Sequence, residues 1–370
     1  MEINSHDGKA KVMAYYLPQF YPCEFNDRWY GKGFTEWINV GKAKPLYPGH
    51  YQPQIPGELG YYDLRVPEVA ERQVELAKEA GIKGFAYWHY WFGKGRKLLE
   101  MPSERMLHTG KPDFPFFFAW DNSNWFKKKW DIKAGKDILI MDMDYSGEQD
   151  EIEHFNYCLK FFKDERYIRY DNRPLFLIYN PLDMPNVKAF MEHWNDLLKE
   201  SGAGERFCFI GEAKNNNEYE KLKSNGLDMV TFSRTSRVGV DTSRPLSYMK
   251  MKAIRGLYKF AGIKIPNLVN YNKVLKYGWN ESLDSLEDVI PMIIPRWDHT
   301  PRSKGRDMVY THATPENFSK AASIVLGGVE KKQNKMVVLK SWNEWGEGNY
   351  MEPDEKFGNA FIDALGKLLE

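Results

Sequence analysis

The stretch VPEVAERQVELAKEAGIKGFAYWHYWF, Val66 to Phe92, holds the repeating unit of the fold. Its first part, Val66 to Gly81, reads as an amphipathic helix, with Pro67 near the start and Gly81 at the stop. Its second part, Ile82 to Phe92, follows at once as a largely apolar and aromatic run interrupted by Lys83 and His89. Such a run has no polar face, so it reads as a strand buried on both sides, as in parallel sheets covered by helices.

Working outward, the same alternation recurs. Before this unit, Val12 to Phe20 reads as a first strand. After it come strands at Phe114 to Trp120, Pro174 to Asn180, Arg206 to Ala213, Leu227 to Arg234, Val289 to Asp298 and Met336 to Trp345. Helical spacing separates them at Glu148 to Asp164, Val187 to Ser201, Glu218 to Asn225 and Pro315 to Gly328. Eight strands divided by helices predict closure into a (β/α)8 TIM barrel with long loops, in one catalytic domain spanning the chain, its core about 11–353. An open nucleotide-binding sheet is disfavoured, because neither G-x-G-x-x-G nor G-x-x-x-x-G-K-[ST] follows the first strand. Two long connections, Tyr21 to Tyr62 and Val238 to Asp288, are expected to carry minor elements or function.

A barrel assembles its chemistry where its strands end. Here those ends mix flat rings with amides and acids. The first gives Tyr15, Tyr16 and Gln19, and the second Trp88, His89, Tyr90 and Trp91. The third gives Trp120, Asp121, Asn122, Asn124 and Trp125; the fourth Tyr179 and Asn180; the fifth Glu212. The seventh gives Arg296, Trp297 and Asp298, and the eighth Trp342, Asn343, Glu344, Trp345 and Glu347. From these, Tyr16, Gln19, Trp88, His89, Tyr90, Trp120, Asp121, Asn124, Trp125, Glu212, Arg296, Asp298, Asn343 and Trp345 are expected to bind substrate. Aromatic residues make up 15% of the chain, which suits either a ring-filled core or a cleft whose faces stack on sugar rings.

SWNEWGEGNYMEP, Ser341 to Pro353, places Glu344 and Glu347 three apart, just past the last strand, with Gly346 and Gly348 free to turn. Two carboxylates held close ionise at different pH, so one can serve as acid while the other is base or nucleophile. Cleaving a glycosidic bond needs that division. A loop pair that binds backbone amides or a basic side chain is the other reading.

The remaining features narrow the class. A formal net charge of +1 with interspersed signs gives no footprint for nucleic acid. No apolar run approaches the ~20 residues that span a bilayer. The polar start, MEINSHDGKAKVM, has no apolar leader core, so a cytoplasmic location is expected, or a periplasmic or secreted one for a chain whose leader was removed. Cys23, Cys158 and Cys208 form neither a disulfide framework nor a C-x-x-C pair. No cofactor or metal is expected. His89, Asp121, Asp298, His299 and Glu344 lack ligand spacing at any one strand end, and the D-x-D of Asp142 and Asp144 reads as a solvated turn. No G-x-S-x-G elbow appears.

The segments YYLPQFYP, NDRWYGKGFTEWINVGKAKPLYPGHYQP, AYWHYWFGKGRKLLEMP and SWNEWGEGNYMEP resemble the WbsX-type proteins of bacterial polysaccharide gene clusters. Those are similar to glycoside hydrolase family 99, the endo-α-mannosidases and endo-α-mannanases. The resemblance runs from about Lys11 to Pro353. It implies a (β/α)8 barrel, retaining cleavage of α-mannoside-like bonds in an oligo- or polysaccharide, and no metal requirement. It also implies that Glu344 takes the proton of the sugar 2-hydroxyl, which closes a 1,2-anhydro sugar. Glu347 then protonates the leaving oxygen and later activates water. The third strand departs from the family's usual W-A-N-E-N-W and reads Trp120-Asp121-Asn122-Ser123-Asn124-Trp125, which bears on the substrate subsites. The WbsX label itself points to sugar transfer in surface-polysaccharide synthesis, and a non-catalytic sugar-binding barrel is a third reading.

Overall fold

The computed structural model describes residues 1–3, 8–128, 136–233, 266–303 and 307–370. Nine parallel strands line the core: β1 (Lys11–Tyr16), β2 (Gly84–Trp91), β3 (Phe116–Trp120), β4 (Arg173–Ile178), β5 (Cys208–Ala213), β6 (Met229–Phe232), β7 (Val289–Ile290), β8 (Met292–Ile293) and β9 (Met336–Leu339). β7 and β8 are two halves of the expected seventh strand, parted by Pro291. Proline has no N–H for the ladder, so each half pairs on one side only. β7 joins β6 through Val230↔Val289, and β8 joins β9 through Met292↔Val338. β9 in turn pairs with β1. The ring therefore runs through eight staves and closes at the split one.

Local signals place the helices outside it. The helix Pro67–Glu79 has Pro67 in its first turn and buries Ala70, Val74, Leu76 and Ala77 against the strands. Gly81, at φ +75°, stops it in a conformation that glycine adopts without strain. Glu148–Phe162, Val187–Glu200, Tyr219–Ser224 and Pro315–Val329 form at the expected places. The long first connection carries two short helices, α1 (Glu24–Tyr30) and α2 (Glu36–Gly41), that fold over the barrel mouth. Residues 238–265 of the second long connection, and Arg234 at the expected end of the sixth strand, lie outside the described residues.

The last two expected strands are shorter than their apolar runs. The seventh leaves the ladder after Ile293 and leads to α3 (Thr300–Ser303). The eighth ends at Leu339; beyond it, Asn343–Glu344 pairs antiparallel with Asn349–Tyr350 around a tight helical turn, Trp345–Glu347. Among the described residues, no helix is long and apolar enough to cross a membrane.

Candidate active site

The mouth of the barrel holds a cavity of about 380 Å³, within the ordinary range for ligand clefts. Strand alternation decides which side chains reach it, since neighbours along a strand point to opposite faces. On β1, Tyr15 faces in and Tyr16 faces out. On β2, Trp88 and Tyr90 face in, while His89 and Trp91 face the helix Glu148–Phe162. The inward rings build a wall. Tyr15 stacks on Trp88 with centroids 4.6 Å apart, Trp88 meets Tyr179 edge-on at 5.3 Å, and Tyr90 meets Trp125 edge-on at 5.0 Å.

The opposite wall is ionic, and Arg302 of α3 is its centre. Arg302 Nε lies 2.9 Å from Glu36 Oε2, Nη2 lies 3.0 Å from Glu344 Oε2, and Nη1 donates to Glu347 Oε1 at 2.8 Å. One guanidinium thus holds three carboxylates from loops that follow the first and last strands. Its fork geometry suits that task where lysine would not. Glu344 Oε2 is buried and makes no aligned hydrogen bond despite the ion pair. Burial pushes the Glu344 carboxyl up to about 7; Arg302 opposes this, and the charges of Glu347 and Glu36 add to it. Glu347 stays more exposed, at 20% of its side chain against 11% for Glu344. His299 Nε2 lies 3.8 Å from Glu347 Oε1, and its Nδ1 lies 2.6 Å from Asp307 Oδ2.

The turn that carries both glutamates is fixed from behind. Asn343 clasps Leu17 by accepting from its N–H at 2.7 Å and donating to its carbonyl at 3.0 Å. Ser341 accepts from the Glu344 N–H at 3.1 Å. Trp345 stacks on Tyr350 at 3.6 Å and donates to Glu352 at 2.6 Å. Glu352 also accepts from Tyr62 and Gln73, and burial holds its carboxyl up at about 7. Gly346 leaves room for the clamp: a Cβ there would overlap Glu36 Oε2 and reach 2.8 Å from Arg302 Nε, so both side-chain ends would have to shift. Gly348, at φ +55°, combines a left-handed backbone with a Cβ position only 2.6 Å from that of Asp298.

The expected site residues therefore divide. Gln19, Trp88, Tyr90, Asp121, Trp125, Glu344 and Glu347 line the cavity. Burial raises the Asp121 carboxyl, against hydrogen bonds from Ser123 and Trp125. Glu212 lies beneath the floor, accepting from Tyr15 at 2.6 Å and sitting 3.4 Å from Lys340 Nζ. The others do not line it. Tyr16 donates to Gln73 at 2.8 Å on the outer face. His89 is buried outside the barrel against His154, with Nε2 atoms 2.7 Å apart. Trp120 donates to the Trp91 carbonyl at 2.9 Å, and Asn124 accepts from the Met143 N–H at 2.6 Å. Arg296 is bound to Asp354 at 2.6 Å between the rings of Tyr350 and Phe361. Asp298 takes His50 at 2.8 Å and Gln52 at 2.7 Å. Asn343 and Trp345 hold the turn that carries Glu344 and Glu347 rather than face the cavity.

Among the lining residues outside the expected set are four charged or titratable ones that the site's electrostatics turn on, Glu36, His299, Arg302 and Lys340. Glu36 stands in the quoted GFTEWINV segment, and Arg302 stands four residues past Asp298, so chain position was their available signal. Asp142 and Asp144 pair instead with Arg96 at 2.7 Å and Lys94 at 2.6 Å on the surface. Among the described residues, His89, His154 and Cys158 are close enough together to hold a metal ion. The 2.7 Å between the two ring nitrogens is hydrogen-bond spacing, shorter than the ~3.3 Å between two nitrogens of a tetrahedral zinc site.

A closed parallel barrel with an aromatic and carboxylate-walled cavity at its mouth has the architecture of a (β/α)8 barrel whose loops assemble a site at the strand ends. The chain is a member of the WbsX family: the family described as "Glycosyltransferase WbsX" matches residues 12–365. It is 31% identical over 371 residues to the "Uncharacterized protein WxcX" of two Xanthomonas campestris pv. campestris strains, covering 97% of this chain and 50% of theirs. The chain thus spans about half the length of the curated relatives it matches. Among solved structures, a glycoside hydrolase-like protein aligns with a TM-score of 0.59 at 15% identity, over 99% of this chain and 95% of that one. The GH99 endo-alpha-mannosidase of Bacteroides thetaiotaomicron aligns at 0.56 and 16% identity, over 98% and 96%. At such identities the likeness is one of fold.

Proposed function

We propose that this chain is a retaining glycoside hydrolase or transglycosylase that acts on an α-linked, mannose-like glycan. Glu344 is the base for the sugar 2-hydroxyl and Glu347 the acid/base for the leaving oxygen. The observation that carries the reading is the pair itself: Glu344 and Glu347 face one cavity and meet on one guanidinium, opposite a wall of stacked rings. A carboxylate with proton affinity near neutrality removes a hydroxyl proton better than an ordinary one, which suits Glu344. The 2-oxygen then attacks C1, the glycosidic bond breaks, and the leaving oxygen takes a proton from Glu347. Water activated by Glu347 opens the anhydro ring, and the 2-oxygen recovers its proton from Glu344.

A sugar hydroxyl in place of water turns the same steps into transfer. That accords with the family's description as glycosyltransferases. A donor-dependent transferase using a metal at Asp142 and Asp144 is supported less, because both acids are engaged by surface cations away from the cavity.

The test is a screen of α-linked bacterial polysaccharides with wild type and Glu347→Gln, reading released reducing ends. Wild type releases ends from at least one polymer. The variant loses roughly 10²-fold or more in rate while keeping its circular dichroism. Saccharide binding that survives loss of both glutamates, with no product from wild type, makes the chain a binding barrel instead. Consumption of a nucleotide sugar makes it a donor-dependent transferase.

A further inference from the structure

We propose that His299, held by Asp307, is the proton reservoir of Glu347 and lets that carboxyl act as an acid while it remains paired with Arg302. The inference rests on the glycosidase reading above and adds a positioning residue to it.

The need arises from the clamp. Glu347 Oε1 accepts from the Arg302 guanidinium at 2.8 Å, a donor that keeps its protons, yet the leaving oxygen requires one. Arg302 cannot give one. His299 can: it lines the same cavity, and its Nε2 lies 3.8 Å from the Oε1 that Arg302 holds. Rotation of the Glu347 carboxyl, or one bridging water, spans that gap. Asp307 Oδ2, 2.6 Å from Nδ1, fixes the ring so that Nε2 points at Glu347. The Trp297 ring flanks the imidazole at 6.1 Å. Among the described residues, the charged groups facing this imidazole are Asp307 on one side, and Glu347 and Arg302 on the other. Burial disfavours the imidazolium, but the Asp307 bond and the Glu347 charge outweigh burial and Arg302, so the net shift is upward.

The balance is simple. As the glycosidic bond breaks, the Nε2–H proton passes to Glu347 and the Glu347 proton to the leaving oxygen, leaving neutral His299. In the second half the attacking water gives its proton to Glu347, which returns one to His299. No oxidant or further reactant is involved.

The test follows the histidine Cε1–H signals of the full chain by NMR titration, with His299→Asn identifying the His299 signal. Wild-type His299 titrates above 6.5. Glu347→Gln and Asp307→Asn each remove a neighbouring anion and lower its midpoint, by about one pH unit. In turnover, His299→Asn loses roughly 10²-fold in kcat with little change in KM, and Asp307→Asn moves the alkaline limb of the rate profile to lower pH. A His299 midpoint indifferent to Glu347→Gln overturns the inference, as does His299→Asn with wild-type kcat and an unchanged alkaline limb. Should wild type release no sugar while the midpoints still move together, the glycosidase reading fails and the proton coupling stands.

Discussion

Replacing Arg302 with methionine strips one cation from three carboxylates at once. Arg302 approaches Glu36, Glu344 and Glu347 at 2.9, 3.0 and 2.8 Å, and 23% of its side chain is exposed. Breaking a buried ion pair by removing one partner costs about 3–5 kcal/mol, because the remaining charge stays in a poorly solvated place. Partial exposure screens this, so roughly 2–4 kcal/mol is expected at pH 8. The cost depends on pH in a definite direction. Without Arg302 the folded-state carboxyls take up protons more readily than the unfolded ones. Stability then falls as pH rises from the unfolded value of Glu344, near 4.5, through its raised folded value, which in wild type is already about 7. Arg302→Met therefore loses most of its stability at alkaline pH and recovers part of it at pH 5. Urea unfolding followed by tryptophan fluorescence at pH 5, 6.5 and 8 measures this. An equal loss at all three values, or no loss at pH 8, shows that Arg302 does not neutralise this cluster.

Three further outcomes test the same geometry. Glu344→Gln removes the ionisation that folding disfavours, so its stability relative to wild type should rise by about 1–3 kcal/mol between pH 5 and pH 8 in chemical denaturation. Trp88→Ala should weaken saccharide binding by roughly tenfold or more in calorimetry, whereas Tyr16→Phe should cost about 1 kcal/mol of stability through its bond to Gln73 and leave binding unchanged. Gly346→Ala should push Glu36 and Arg302 off the turn and abolish turnover while the circular dichroism is retained, since the added Cβ would overlap Glu36 Oε2.

Much of this architecture is legible before any coordinates. The helix stop at Gly81, the apolar runs and the turn SWNEWGEGNYMEP are local statements, and local chemistry governs them. What the runs conceal is facing. A strand buried on both sides shows apolar residues at every position, so alternation divides it into two sets without saying which set meets the barrel axis. The runs alone therefore group Tyr16, His89 and Trp120 with the cavity. Ring closure turns them outward and turns Tyr15, Trp88 and Asp121 inward.

The sequence by itself determined the unit, its repetition and the two acids past the last strand. The tertiary structure alone decided what those acids meet. Glu36 and Arg302 are separated by 266 positions, and Glu347 lies 45 beyond Arg302. No periodicity links residues so far apart. They become neighbours because β9 pairs with β1, which swings the first, seventh and last loops onto one rim. Charge interaction then depends on distance and burial, quantities that exist only once the ring has closed.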